Sequence, residues 1–113
     1  MVSHVKFYRN YRNISVIQEN LLLCYDLAKL EDGIRNIDYI YISRFLSSLS
    51  SEELMSLWTN SITPDYVSDL DLVYDLCKWI IPKLEELEWY ESCHNVLKVT
   101  DDCELYLANF PNI

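Results

Sequence analysis

Residues Ser68 to Ser92 read SDLDLVYDLCKWIIPKLEELEWYES, and the spacing of the apolar positions in this run decides the fold. Leu70, Val73, Cys77, Ile80, Leu84 and Leu87 follow one another at intervals of 3, 4, 3, 4 and 3 residues, which lays them along one side of an α-helix. At about 100° per residue, Asp71, Asp75, Glu85 and Glu86 fall on the opposite side, together with Pro82. Proline cannot donate to the Lys78 carbonyl, and on the wet side of the helix that carbonyl is satisfied by water. Trp79 and Trp89 also fall outside the apolar stripe, on or beside the acidic side.

Outward from this helix, shorter signals divide the rest of the chain. Thr63 as N-cap, Pro64 at the first helical position and Asp65 near the positive end of the dipole announce a helix start. Ser50 and Glu53 form a capping box that opens a short helix with Leu54, Leu57 and Trp58 on one side. In IRNIDYIYISRFLSSLS, Ile37, Tyr39 and Tyr41 alternate like a strand, whereas Ile42, Phe45, Leu46 and Leu49 recur like a helix; a helix over 37–48 is the preferred reading. Ser15 with Gln18 fits another capping box, Ile17, Leu21, Cys24 and Ala28 recur at helical spacing, and Gly33 supplies a left-handed stop. That places a first helix near 16–31. Residues 95–109 read as a last helix capped by Thr100, with Asp101 and Asp102 in its first turn, or as a hairpin pairing VLKV with CELYL across TDD; the helix is preferred, and Pro111 ends either. Residues 1–13, with their VKFYRNYR, form a basic aromatic arm or an edge strand.

Composition agrees with a helical reading. A chain of 113 residues, half of them hydrophobic, suits a single domain over 1–113 with its own core. One Gly and three Pro are too few for the frequent turns of a sandwich or barrel. The expected fold is all-α, or α-rich with a minor terminal β element, in a bundle of about five helices. The N-terminus MVSHVKFYRNYRN lacks the apolar stretch of a secretory signal, so Cys24, Cys77, Cys93 and Cys103 are expected as reduced, core-packed thiols in a cytoplasmic protein. No run approaches the roughly 18 apolar residues of a membrane span.

Charge is the most informative global property. Residues 1–50 carry six basic and five acidic groups, whereas residues 51–113 carry three basic groups against thirteen acids. Such an excess repels nucleic acid and anionic membrane and steers cationic partners toward the second half of the chain. The segment VKFYRNYR does interleave Lys6, Arg9 and Arg12 with Phe7, Tyr8 and Tyr11, the ingredients of a nucleic-acid arm. Three cations are few against so many acids.

The residues of catalytic and metal chemistry are sparse. Cys93, His94 and Cys103 are the nearest approach to a zinc set, and there is no C-x-x-C; adjacent helical residues point about 100° apart, so Cys93 and His94 are poor joint ligands. The lone Gly33 follows only Glu31 and Asp32, which is not a calcium loop. His4 and His94 are the only neutral-pH bases for a nucleophile, Glu85 and Glu88 read as a solvated charge run, and no Gly-rich phosphate loop is present. Neither enzymatic activity nor a metal or cofactor is expected.

What the run from Ser68 offers is a docking face: Trp79, Trp89, Tyr74 and Tyr90 among Asp71, Asp75, Glu85, Glu86, Glu88 and Glu91. Large aromatics carry much interface energy, and a charged surround speeds encounter with an oppositely charged partner. In small size, acidity, helix content and the face over Asp69 to Glu91, the chain resembles the immunity proteins that neutralise bacterial nuclease toxins of the colicin and contact-dependent growth-inhibition kind. The resemblance implies a tight one-to-one complex in which carboxylates replace the phosphates the toxin contacts, or block a nearby exosite. It casts Asp71, Asp75, Glu85 and Glu86 as charge partners and Trp79 and Trp89 as anchors for a basic protein partner. Two other readings use the same surface: a viral or phage protein that inhibits a host nucleic-acid enzyme by charge mimicry, and a regulatory helical module with a groove for a partner helix.

Overall fold

A computed structural model describes residues 13–109. The Pro111 stop and all but the last residue of the expected N-terminal arm lie outside them. Five α-helices follow in order, α1 (Ile14–Ala28), α2 (Asn36–Ser47), α3 (Ser51–Trp58), α4 (Asp69–Glu86) and α5 (Tyr90–Asn109), with a 3₁₀ turn at Glu31–Gly33 after the first. There is no strand among the described residues, so the all-α bundle is the fold. None of these helices is long and apolar enough to cross a membrane.

The centre of the bundle is α4. It forms a hairpin with α5 across three residues and also packs on α1, α2 and α3. The expected stripe is buried from Leu70 to Leu84, and because neighbours surround the helix, Leu72 and Leu76 are buried as well. Half the circumference of α4 is therefore core, and the other half, with Pro82 in it, faces water. Leu21 and Cys24 from α1, Ile42 and Leu46 from α2, Leu54 and Leu57 from α3, and Val96 and Cys103 from α5 complete the interior.

Local chemistry sets most helix starts. The Ser50 hydroxyl accepts from the Glu53 amide at 3.2 Å while the Glu53 carboxylate accepts from the Ser50 amide at 2.9 Å, the reciprocal box expected for α3. The ambiguous stretch before it is helical, with the Asp38 carboxylate accepting from the Arg35 amide at 2.9 Å at the start of α2.

Elsewhere the chain departs from the sequence pattern. Asn13, not Ser15, caps α1, accepting from the Val16 amide at 3.0 Å. Gln18 is turned inward instead, donating to the Asp69 carboxylate at 2.8 Å, because a buried acid is costlier to leave unsatisfied than an exposed first turn. Gly33 is not the left-handed stop; that conformation falls on Glu31, with φ 52°. Thr63, Pro64 and Asp65 start no helix: the Thr63 hydroxyl accepts from the Asp65 amide at 3.2 Å in a turn, and the true cap of α4 is Ser68, which accepts from the Asp71 amide at 3.3 Å. The intervening loop is held by the Asp69 carboxylate, which accepts from the Ile62 amide at 2.7 Å, and by the Asp69 amide, which donates to the Asn60 carbonyl at 2.7 Å. Thr100 is not a cap either. It lies buried in mid-α5, where its hydroxyl donates to the Val96 carbonyl at 3.0 Å, and the alternative hairpin does not form.

The end of α4 is a Schellman turn built on the wrong residue type. The Trp89 amide donates to the Leu84 carbonyl and the Glu88 amide to the Glu85 carbonyl, both at 3.0 Å, with Glu88 at φ 62°. A side chain with a Cβ is strained there, and glycine is not. Glu88→Gly is therefore expected to raise the unfolding free energy by about 1 kcal/mol, read as a higher denaturation midpoint in urea at an unchanged slope.

Candidate functional site

The solvent half of α4 has two flanks, and they differ in chemistry. The flank toward α5 carries Tyr74, Lys78 and Glu85. The Tyr74 hydroxyl donates to the Glu104 carboxylate of α5 at 2.8 Å, with the Lys78 ammonium 4.9 Å from the centre of the Tyr74 ring. Asp71 lies near the start of this face, accepting from the Ser68 hydroxyl at 3.3 Å. These groups form a charged surface.

The flank toward α1 and α2 is concave. Asp75 and Trp79, one helical turn apart, face the loop that precedes α4 and the C-terminal turns of α1. The Tyr66 hydroxyl donates to Asp75 at 2.7 Å. The Tyr66 ring meets the Tyr25 ring edge to face at 5.9 Å, and the Tyr25 hydroxyl donates to the Asp65 carboxylate. Trp79 stacks on Tyr39 of α2 at 5.8 Å and is still 37% exposed. Two lysines cover rings: Lys29 lies 4.0 Å from the Tyr25 centroid and Lys83 lies 5.4 Å from that of Tyr39. Lys83 also pairs with Glu86 at 2.7 Å. Tyr25, Lys29, Tyr66, Asp75 and Trp79 line a cavity of about 210 Å³, with Leu76 also in its wall.

Of the six residues expected to bind a partner, the structure brings Asp75 and Trp79 to one cavity and leaves Glu86 about two turns farther along α4, outside the cavity and paired with Lys83. Asp71 and Glu85 turn toward the other flank. Trp89 is removed to the bend between α4 and α5, half-buried and packed on the core, while its neighbour Tyr90 is exposed. Sequence reasoning missed Tyr25, Lys29, Tyr39, Asp65 and Tyr66. Tyr25 and Lys29 were legible as an i, i+4 pair beside the buried stripe of α1; nothing local announces that the loop folds Tyr66 over Tyr25.

The electrostatics of the site are those of carboxylates held by phenols. Tyr66 has its pKa pushed up to about 12, chiefly by its hydrogen bond to Asp75 and then by burial. Tyr25 is raised by Asp65 in the same way, and Tyr74 by Glu104. In each pair one carboxylate oxygen takes the phenol, which leaves acceptor capacity on the other. The cysteines belong to the core: burial pushes Cys24 and Cys77 up to about 12, and Cys93 and Cys103 are raised by the same cause. All four are free thiols, and at neutral pH they are protonated and unreactive. No group of three His, Cys, Asp or Glu side chains among the described residues is placed to hold a metal ion.

A larger and more polar recess of about 620 Å³ separates α2 from α5, lined by serine side chains with Arg44 and Glu91. It contains none of the aromatic rings described above. Comparison of the chain with protein-family models, curated proteins and solved structures finds no match.

Because the folded pKa of Tyr66 stands above its ordinary value near 10, its bond to Asp75 stabilises the fold fully below about pH 10 and progressively less as pH rises toward about 12. Asp75→Asn is expected to bring the Tyr66 ionisation down, moving one phenolate step in the ultraviolet titration to lower pH. An unmoved step contradicts the assigned pair.

Proposed function

We propose that this protein is an acidic docking protein that binds a basic partner protein over the solvent half of α4, in the manner of immunity proteins that neutralise cationic nuclease toxins. The observation that carries the reading is Trp79, 37% exposed and stacked on Tyr39 beside Asp75, in a molecule whose described residues hold 18 acids against six Lys and Arg. An exposed indole already fixed by a neighbouring ring has little rotamer entropy left to lose on docking. The surrounding carboxylates bring a cationic surface to it at a rate that depends on ionic strength.

The roles divide by position. Trp79 is the anchor, with Asp75 as its adjoining charge partner and Glu86 as a second one about two turns farther along the helix. Asp71 and Glu85, on the far flank of the same helix, extend the acidic rim along the axis of α4. Trp89 contributes by bracing the bend from which α5 departs rather than by direct contact. If the partner is a nuclease, carboxylates along α4 occupy positions that phosphates take in its substrate, and inhibition follows from simple exclusion. No chemical step by this chain is required.

The test is affinity capture from the native cell at low and high salt, followed by titration of the recovered partner against variants. A basic nucleic-acid enzyme is expected, with affinity falling steeply as salt rises, a loss of about tenfold or more for Trp79→Ala, and slower association for Asp75→Lys with Glu86→Lys. A partner bound equally well at both salt concentrations and by all these variants overturns the proposal.

A further inference from the structure

The cavity beside Trp79 has a lining that specifies more than negative charge. Tyr25, Tyr66 and Trp79 present aromatic surface to it, Asp75 presents a carboxylate, and Leu76 presents an apolar side chain. The ring of Tyr25 is already in contact with a cation, the Lys29 ammonium 4.0 Å from its centroid, and Lys29 is itself part of the lining. Apolar surface suits the aliphatic stem of a long side chain. Aromatic faces and a carboxylate suit its charged end.

We infer that this cavity receives an arginine side chain of the partner, and that Lys29 is a resident cation which the arginine displaces. The inference rests on the docking reading above and names the group that enters the site. Arginine fits better than lysine because its guanidinium is planar, so it stacks against an indole or phenol while its N–H fork meets a carboxylate. Asp75 is suited to that fork: Tyr66 holds Oδ2 at 2.7 Å and thereby orients the carboxylate, leaving acceptor capacity for the incoming donors. Lys29 plays two parts. It occupies the ring face of Tyr25 in the unbound protein, and it repels any other cation that enters. Its removal therefore strengthens binding of the arginine, the opposite of what a contact residue does.

The experiment uses the full chain and two blocked tripeptides, one with arginine at its centre and one with citrulline, which has nearly the same shape and no charge. Amide and indole shifts are followed by NMR. The arginine peptide is expected to move the signals of Tyr25, Tyr66, Leu76 and Trp79 together and to saturate, with the citrulline peptide about tenfold weaker. Asp75→Asn is expected to weaken the arginine peptide severalfold, and Lys29→Met to strengthen it. Lys98→Met, which removes the same charge from an exposed position on α5, is expected to change it much less.

Equal binding of the two peptides, shifts spread over the acidic positions of α5, or matching effects of Lys29→Met and Lys98→Met overturn the inference. The two proposals fail separately. A basic protein that binds α4 in a salt-dependent way while the peptides ignore the cavity removes only the arginine site. Saturable arginine binding here, with a captured partner that is insensitive to salt, removes only the docking reading.

Discussion

A single carboxylate, that of Asp69, holds the arrangement together. It is 1% exposed in the first turn of α4, and a buried acid is tolerable only where its oxygens are fully engaged. One oxygen takes the Gln18 amide of α1 at 2.8 Å and the other takes the Ile62 amide of the preceding loop at 2.7 Å. The residue's own amide returns to the Asn60 carbonyl. The helix N-terminus adds favourable potential at the same spot. Three pieces of chain are thus joined at one point: α1, the loop over residues 60–68 and the start of α4.

The site depends on that junction. Tyr25 is on α1, Tyr66 is in the loop, and Asp75 and Trp79 are on α4, so their meeting at one cavity requires the three pieces to be held in register. The Ser61 hydroxyl, 3.0 Å from both the Thr63 and the Tyr66 carbonyl and sharing its one proton between them, tightens the loop further. Around this framework the bundle needs little that is unusual. Half of α4 is apolar and buried; the other half is left to face water and carries Asp71, Asp75, Glu85 and Glu86 against Lys78 and Lys83. The same amphipathicity that builds the core therefore produces the acidic face, and docking a cation there disturbs no interior contact.

What could be read from sequence follows the distance over which each interaction acts. The stripe of α4 was legible because burial repeats every three or four residues for most of the helix, and the Ser50–Glu53 box because its two partners are three residues apart. The Thr63–Pro64–Asp65 start was misleading because a local preference worth about 1 kcal/mol competes with a buried carboxylate whose partners include Gln18, 51 residues away. Thr100 misled for a related reason. Val96, Val99 and Cys103 bury one face of α5 straight through it, and a hydroxyl that can return to the Val96 carbonyl does not interrupt a helix. For the candidate site, the half carried by α4 was visible, whereas the half carried by α1, α2 and the loop was not, because it is assembled only by the fold.

Native-state hydrogen exchange at the Ile62 amide reads the Asp69 junction most directly. A donor bound to a buried carboxylate is expected to approach the protection of interior α4 amides such as Ile80, and in Asp69→Ala to lose that protection while Ile80 keeps more of its own. Exchange of Ile62 in the unaltered protein as fast as that of the exposed Val67 amide would contradict the account, since the loop, and the cavity it closes, would then be held by something else.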